Sequence, residues 1–503
     1  MVRCHLKSGG HMAKLISTIE LKKIRKNLKN QKIGLCHGAF DVLHNGHLAH
    51  FQESRNQVDI LIVSVTADQF ISKGPSQPYN NEINRAKFLL HINSIDYVYL
   101  DRNLTAEKLI NELKPDIYFK GKDYLEKDIT GNFKKELNIL KKNNGKIFLT
   151  KTPISSSTKI INNFYKPFSD NAEKYLNRIS KKNTFDQINK ALKKLENNTF
   201  SIIGDPIIDK YIHCQMSGLT TKDPAVSTII NDIEIIPGGV LAIAKILSKF
   251  LKKVNLYTYG NDKNIRKYLS KEKNINVINL DKDQEIQTKT RYINSTRYEK
   301  LLQVTNFKKN VFSKNTINKI SKKIKNIKTD LLICDFGNGL IENEILKSIE
   351  RLKINKFLNV QTNSINYGHN LYTKYKKFNY LSLDEREWQL ALGKNDLSNL
   401  GKILNLKKNK ISCSLTKGKK GSEYFWKNKN EICPVFIEKT IDTTGCGDAY
   451  FSLTSIMLEA KLDSHLIPFV GNVYAGMHSQ FFGNKEIVKK VDFLKYIKSL
   501  LNR

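Results

Sequence analysis

Two short stretches of the sequence hold residues of the kinds that move phosphate. The first, Lys32–Phe51, reads KIGLCHGAFDVLHNGHLAHF. A β-type run, Ile33–Cys36, enters a glycine-containing turn, and a helical pattern starts near His47. The first N–H groups of a helix have no partner within it, so this junction is a ready anion site. His44 and His47, spaced His-x-Gly-His, can both donate to charge developing on a nucleotide's phosphates. Gly46 between them lets the backbone come close. The second stretch, Ile441–Phe451, reads IDTTGCGDAYF. Its two glycines before Asp448, followed by an apolar helical pattern, suggest backbone amides aimed at one point beside a carboxylate. That arrangement suits phosphoryl transfer: Asp448 takes a proton from a hydroxyl while the amides hold the γ-phosphate.

Apolar runs of strand length alternate with helical patterns along the whole chain, which predicts parallel α/β architecture. Ile33–Cys36, Ile60–Val65, Tyr97–Leu100, Ile117–Phe119 and Ile147–Leu149 form one series. Phe200–Ile203, Val254–Tyr257, Leu331–Cys334, Phe357–Val360 and Ile411–Leu415 form another. Between them lies a Lys-rich stretch in which Phe185, Ile188, Leu192 and Leu195 keep helical spacing, with a capping box expected at Thr184 and Gln187. A chain of 503 residues is too long for one ordinary domain. The expected layout is an extension over residues 1–30, a first domain over 31–165, a helical linker over 166–198 and a second domain over 199–503.

Hydrophobic residues make up 40% of the chain and charged ones 26%, which excludes a disordered or collagen-like chain. The net charge is +36, but the lysines are scattered in pairs such as Lys141–Lys142 and Lys252–Lys253. This reads as solvated faces, not a nucleic-acid stripe, so no specific nucleic-acid partner is expected. The seven cysteines form no CxxC pair, which argues for reduced thiols over a disulfide scaffold or zinc finger. No apolar run approaches the roughly 20 residues that span a bilayer. A soluble, cytoplasmic protein with no membrane partner is expected.

GAFDVLHNGH resembles the phosphate-binding signature of the cytidylyltransferase-like nucleotidylyltransferases, and further matches follow in order. They are Val65–Asp68 with Lys73-Gly74, Arg85, Lys114–Asp116 leading to Lys120-Gly121, and Ile154–Thr158. The resemblance implies a Rossmann-like fold over about Lys32–Phe164. It also implies attack by a phosphate oxygen on an NTP α-phosphorus, with pyrophosphate released. His44 and His47 would steady the α-phosphate. Gly38, Phe40, Gly46, Lys73 or Lys120, Arg85 and the helix start Ser155, Ser156, Ser157 and Thr158 would hold the nucleotide, with Mg²⁺ bridging the triphosphate. Asp41 is open between orienting the turn and a purely structural place.

The second stretch resembles the Asp-Thr-x-Gly-x-Gly-Asp signature of ribokinase/PfkB-type sugar kinases, over about Phe200–Asn502. The resemblance implies an α/β sandwich with a small β lid, and Asp448 as base. Thr444, Gly445, Cys446 and Gly447 would form the anion hole. Thr416, Gly418 and Gly421, in the Thr-x-Gly-x-x-Gly loop, would hold ATP, with Asn472 near the adenine. Asp205, Asp209, Gly238 and Gly239 would meet the sugar, and Asp384 and Glu387 the Mg²⁺. Three positions depart from the pattern: Cys446 replaces Ala, Asp384 replaces Asn, and Ala242 replaces an Asn that usually binds sugar.

The pair of domains resembles the bifunctional heptose 7-phosphate kinase/heptose 1-phosphate adenylyltransferase family with its domain order reversed. It implies ATP phosphorylating a phosphosugar at the anomeric position, then transfer of a nucleotidyl group from ATP or CTP. The alternative is that one domain is catalytic and the other a binding or dimerisation module, which Ala242 would favour. Kinases of this type often pair through their lids, which makes a second copy of the chain a candidate partner.

Overall fold

The computed structural model describes residues 12–28, 30–71, 77–122, 131–151, 168–180, 183–297, 299–363, 365–395, 397 and 400–502. Contacts divide the chain into two compact units. One holds residues 1–169 with 176–180 and 491–503; the other holds 170–175 with 181–490.

The first unit is built on a parallel sheet. Its strands are β1 (Lys14–Ile16), β2 (Ile33–Gly38), β3 (Ile60–Thr66), β4 (Tyr97–Asp101), β5 (Ile117–Gly121) and β6 (Lys146–Thr150). They lie in the order β1-β4-β3-β2-β5-β6. Successive side chains of a strand point to opposite faces, and a sheet covered on both sides needs apolar residues at both. Leu35 packs with Ile33, Ile62 and Tyr118, while its neighbour Cys36 packs with Val63, Val65 and Phe119 in a separate cluster. The chain winds outward from β2 to β3 and β4, then returns to set β5 on the other side of β2. Such a reversal opens a crevice at the carboxyl ends of the two strands, and β2 ends at Gly38, where the His-x-Gly-His turn begins. The sheet starts earlier than residue 31. β1 and the helix Thr18–Asn27, which is capped by a Ser17/Glu20 capping box, lie in the stretch expected to be an extension.

The second unit has a nine-stranded sheet and a four-stranded one. Its strands are β7 (Thr199–Gly204), β8 (Pro206–Leu219), β9 (Val226–Gly239), β10 (Lys253–Thr258), β11 (Ile275–Asn279), β12 (Gln287–Asn294) and β13 (Lys300–Asn306). They continue with β14 (Leu331–Asp335), β15 (Lys356–Val360), β16 (Tyr380–Asp384), β17 (Ser412–Thr416), β18 (Ser422–Trp426) and β19 (Lys429–Cys433). The large sheet runs β11-β10-β7-β14-β15-β16-β17-β18-β19, parallel until β18 and β19 turn back. The small sheet, β13-β12-β8-β9, is the lid. Its long hairpin is rooted where β7 ends, with Pro206 opposite Gly239. The winding reverses here too, between β7 and β14.

The helix Thr184–Leu195 belongs to this unit, with Ile188, Leu192 and Leu195 buried, so it is not a free linker. Its N-cap is Asn183, without a side-chain cap bond; the capping box expected at Thr184 and Gln187 does not form, because the helix begins with Thr184.

β7 and β14 approach closely at Gly204, where an added Cβ would stand 2.3 Å from the Cys334 carbonyl oxygen. Gly204→Ala should therefore cost about 1–3 kcal/mol, the range for overpacking. Denaturant unfolding of the full chain checks this, and an unchanged midpoint for the second unit would contradict it.

Candidate active sites

In the first unit the turn after β2 carries both histidines. His44 is the N-cap of the helix Asn45–Arg55, and its Nδ1 accepts the Gly46 N–H at 3.1 Å. That bond settles the tautomer: Nδ1 is the acceptor, so the neutral ring carries its proton on Nε2. Partial burial lowers the pKa of His44, which favours that neutral form. Its Nε2 is buried and has no hydrogen-bond partner among the described residues. A buried donor without a partner is costly, and an oxyanion would satisfy it. The His44 and His47 ring centroids are 3.9 Å apart, with the planes 31° from parallel.

Phe40 backs this pair, its ring 5.6 Å from that of His47 and 5.2 Å from that of Phe51. It adopts a positive φ of 50°, uncommon for a bulky residue. A Cβ on Gly38 would lie 3.1 Å from its ring, so the glycine admits the aromatic.

Three further residues hold the crevice's loops. Asp41, nearly buried, accepts the Tyr79 and Asn80 backbone N–H groups, each at 2.8 Å. That settles its place: it clamps the turn. Lys120, on β5, donates to the His37 carbonyl at 3.0 Å across the reversal. Arg85 is completely buried. It donates to the carbonyls of Asn80 (3.0 Å), Thr66 (2.8 Å) and Ala39, and to the Asp68 carboxylate at 2.5 Å. With its fork spent on protein oxygens, Arg85 ties the loops after β2 and β3 together, which differs from the expected phosphate contact. Lys73 and Ser155–Thr158 lie outside the described residues.

In the second unit Asp448 lies in the first turn of the helix Cys446–Glu459. It is almost fully buried, and burial pushes its carboxyl up to about 7, with Asp209 adding to the shift and Gln361 and Lys289 opposing it. Gly445 caps the helix with φ of 82°, where a side chain would collide with Asn484. The N–H groups of Gly447 and Asp448 have no acceptor within the helix. A Cβ added to Gly447 would meet nothing within 4 Å. Cys446 is part of this turn, its thiol raised to about 12 chiefly by burial, so it is not a nucleophile. Thr444 is engaged: its hydroxyl donates to Asp442 (3.0 Å) and accepts from Lys300, which also pairs with Asp442 at 2.8 Å.

Asp209 lies on β8 of the lid, paired with Arg291 at 2.5 Å. A Cβ on Gly238 would stand only 2.3 Å from the Asp209 carboxylate, so that glycine is what admits it. Asp205 is placed otherwise than expected. It is completely buried and accepts from the N–H groups of Phe336 (3.1 Å), Asn338 (3.4 Å) and Leu340 (3.4 Å) and from the Tyr259 hydroxyl (3.2 Å). It stitches the ends of β7 and β14 together. Gly239, at φ of 55°, leads into the helix Val240–Ser248, where Ala242 is fully buried.

Asn472 donates its Nδ2 hydrogens to the carbonyls of Cys433 (2.8 Å) and Pro434 (3.0 Å), so its amino group holds the end of β19. Thr416 ends β17, and Gly418 has φ of 55° with open space where a side chain would be. Gly421, at φ of 89°, packs against the Cys433 carbonyl.

Asp384 and Glu387 form a capping box at the start of the helix Glu385–Leu392, and Glu387 also accepts the Thr362 N–H at 3.1 Å. Burial, with Asp384 and Asp448 nearby, pushes Glu387 to about 8. Such a carboxyl fits a place where a cation arrives. Among the described residues, however, no group of three or more His, Cys, Asp or Glu side chains could hold a metal. The set therefore fits Mg²⁺ held mainly by phosphate oxygens and water.

Three residues were missed in the sequence. Lys289 and Arg291 alternate on β12, a period-two signal for one strand face. Gln361 follows β15 and reaches Asp448 at 2.6 Å; a polar residue directly after a buried apolar run was the available signal.

Residues 35–163 match the family model described as Cytidylyltransferase-like. The bifunctional protein HldE of Helicobacter pylori (strain ATCC 700392 / 26695) is 40% identical over 125 residues, which are 24% of this chain and 27% of that protein. The HldE of Aliarcobacter butzleri (strain RM4018) is 38% identical over 132 residues, 25% of this chain and 28% of that one. The chain thus spans only about a quarter of the length of these curated relatives. Among solved structures, phosphofructokinase-2 from Escherichia coli in complex with substrates and products is similar with a TM-score of 0.49 and 10% identity. It covers 60% of this chain and 99% of its own. Ribokinase from Thermotoga maritima is similar with a TM-score of 0.44 and 15% identity, over 60% and 99%.

Arg85→Met should destabilise the first unit by about 3–5 kcal/mol, because it strands buried acceptors and breaks the Asp68 pair. Chemical denaturation checks this; a loss below about 1 kcal/mol, the scale of an exposed pair, would show that the guanidinium does not hold the loops.

Proposed function

We propose that the chain is a bifunctional transferase of nucleotide-sugar synthesis. The second unit would phosphorylate a phosphosugar, heptose 7-phosphate by analogy with the HldE relatives, at its anomeric hydroxyl with ATP. The first unit would transfer a nucleotidyl group from ATP or CTP to the resulting sugar 1-phosphate. The observation that carries the kinase reading is the buried Asp448 carboxyl, raised to about 7 in the first turn of a helix, beside a Gly447 with open space where a side chain would be. A base is most useful when its pKa lies near the working pH. Asp448 would take the hydroxyl proton while the Gly447 and Asp448 amides meet the γ-phosphate. Asp209, Gly238 and Gly239 would border the sugar, and Thr416, Gly418 and Gly421 the nucleotide. Asp384 and Glu387 would help hold a Mg²⁺ ion, which would supply charge neutralisation on the phosphates.

In the first unit the Nε2–H of His44 and the imidazole of His47 would donate to the α-phosphate as charge builds on it. Gly38, Phe40 and Gly46 shape the turn, and Lys120, Lys73 and Ser155–Thr158 would complete the phosphate contacts. Arg85 acts by holding the loops. The substrates are soluble and no helix among the described residues is long and apolar enough to cross a membrane, which supports a cytoplasmic place. The lid's edge strand β9 exposes Ile229, Ile230, Ile233 and Ile235, which supports a homodimer formed lid to lid.

Asp448→Asn should lower sugar phosphorylation about 10²–10⁴-fold, the range for a lost general base, and leave pyrophosphate release from supplied sugar 1-phosphate intact. His47→Ala should do the reverse, by about 10²–10³-fold. Coupled assays for ADP and pyrophosphate check both; loss of both activities in either variant would contradict two separate sites.

A further inference from the structure

The bond from Gln361 to Asp448 is part of a chain with only one consistent direction. Gln361 stands directly after β15, and its own N–H donates to the Asp335 carbonyl at 2.9 Å, which fixes its backbone against β14. Its Nε2 lies 2.6 Å from Asp448 Oδ1 and 3.1 Å from Asn359 Oδ1. Side-chain amides can be turned either way, so the direction has to come from a neighbour that cannot. That neighbour is the Ser382 carbonyl, which only accepts. Buried Asn359 donates Nδ2 to it at 2.8 Å, and so presents Oδ1 to Gln361. Gln361 must then answer with Nε2, whose two hydrogens go to Asn359 and to Asp448. The carboxylate receives a fixed donor on Oδ1, and Oδ2 is the oxygen Gln361 does not use.

We propose that Gln361 is a positioning residue for Asp448, a donor locked by Asn359 that aims the carboxylate and keeps it ionised although it is buried. The inference rests on Asp448 being the base of the kinase reading. A buried acid favours its neutral form, and a protonated Asp448 takes no proton from a sugar. The charged and titratable groups around it pull both ways. Lys289 of the lid favours the ionised form; Asp209 of the lid and Glu387 at its helix start oppose it, and the thiols of Cys334 and Cys446 lie within electrostatic range. Gln361 is the group that bonds to the carboxylate directly, and it carries no charge that a substrate phosphate would pair with.

The full chain labelled with [4-¹³C]aspartate tests this by NMR, the Asp448 signal being the one lost in Asp448→Asn. In Gln361→Met, which keeps the length and removes the donor, the Asp448 carboxyl should titrate about one to two pH units higher, the shift expected when a hydrogen bond to a charged acceptor is lost. Asn359→Ala, which frees the Gln361 amide to turn, should shift it in the same direction by less. The other aspartate signals should stay in place. An Asp448 titration unchanged in both variants overturns the role of Gln361. If Gln361→Met does not fold, the Asn359→Ala titration decides. The readout needs no sugar, so the two readings fail separately. A shift without any sugar phosphorylation by the wild type sinks the kinase reading alone, and phosphorylation without a shift sinks the positioning role alone.

Discussion

Where a parallel sheet reverses its winding, two loops part and leave backbone groups that no neighbouring strand can satisfy. In each unit a fully buried ionisable side chain gathers backbone groups of the loops beside the crevice. In the first, the Arg85 guanidinium gathers the carbonyls of Ala39, Thr66 and Asn80, in loops on one side of the reversal, while Lys120 reaches the His37 carbonyl across it. In the second, the Asp205 carboxylate gathers the N–H groups of Phe336, Asn338 and Leu340. The signs are opposite because the orphans are opposite, carbonyls in one crevice and amides in the other. With the loops held this way, the chemistry can be carried by the turns they present.

Those turns use one device twice. A helix begins at the crevice, its first amides point outward, and the side chain that would do the chemistry sits in or just before the first turn. His44 and His47 stand there in the first unit and Asp448 in the second. The difference in residue type matches the proton each proposed step would handle. Nucleotidyl transfer to a phosphate oxygen would remove no proton, so neutral donors would suffice, and the His44 tautomer supplies one. Phosphorylation of a hydroxyl would release a proton, which calls for a carboxylate such as Asp448, raised by burial to about 7.

Much of this was legible in the sequence. Ten apolar runs became strands because apolar residues at both parities demand a sheet covered on both faces. The turn motifs were legible because glycines at Gly445 and Gly238 admit a side-chain amide and a carboxylate where a Cβ would collide. What stayed hidden was pairing between distant residues. Arg85 and Asp205 have the charge of ligands, and only their burial and partners reveal them as struts. Asn472 likewise carries an amide that suits a base, yet spends its amino group on the end of β19. β1 is three residues long, too short for a period, and the helix at Thr184 looks detached until Leu192 and Leu195 are seen buried.

The central claim is that two successive phosphate transfers take place on one chain. Phosphorus NMR of the wild-type protein with Mg²⁺, ATP or CTP, and D-glycero-D-manno-heptose 7-phosphate tests it most directly. The account predicts a new sugar 1-phosphate signal, followed by a pyrophosphate-linked diester whose appearance with one nucleotide names the donor. A spectrum in which the sugar 7-phosphate and the nucleoside triphosphate both persist unchanged would contradict it.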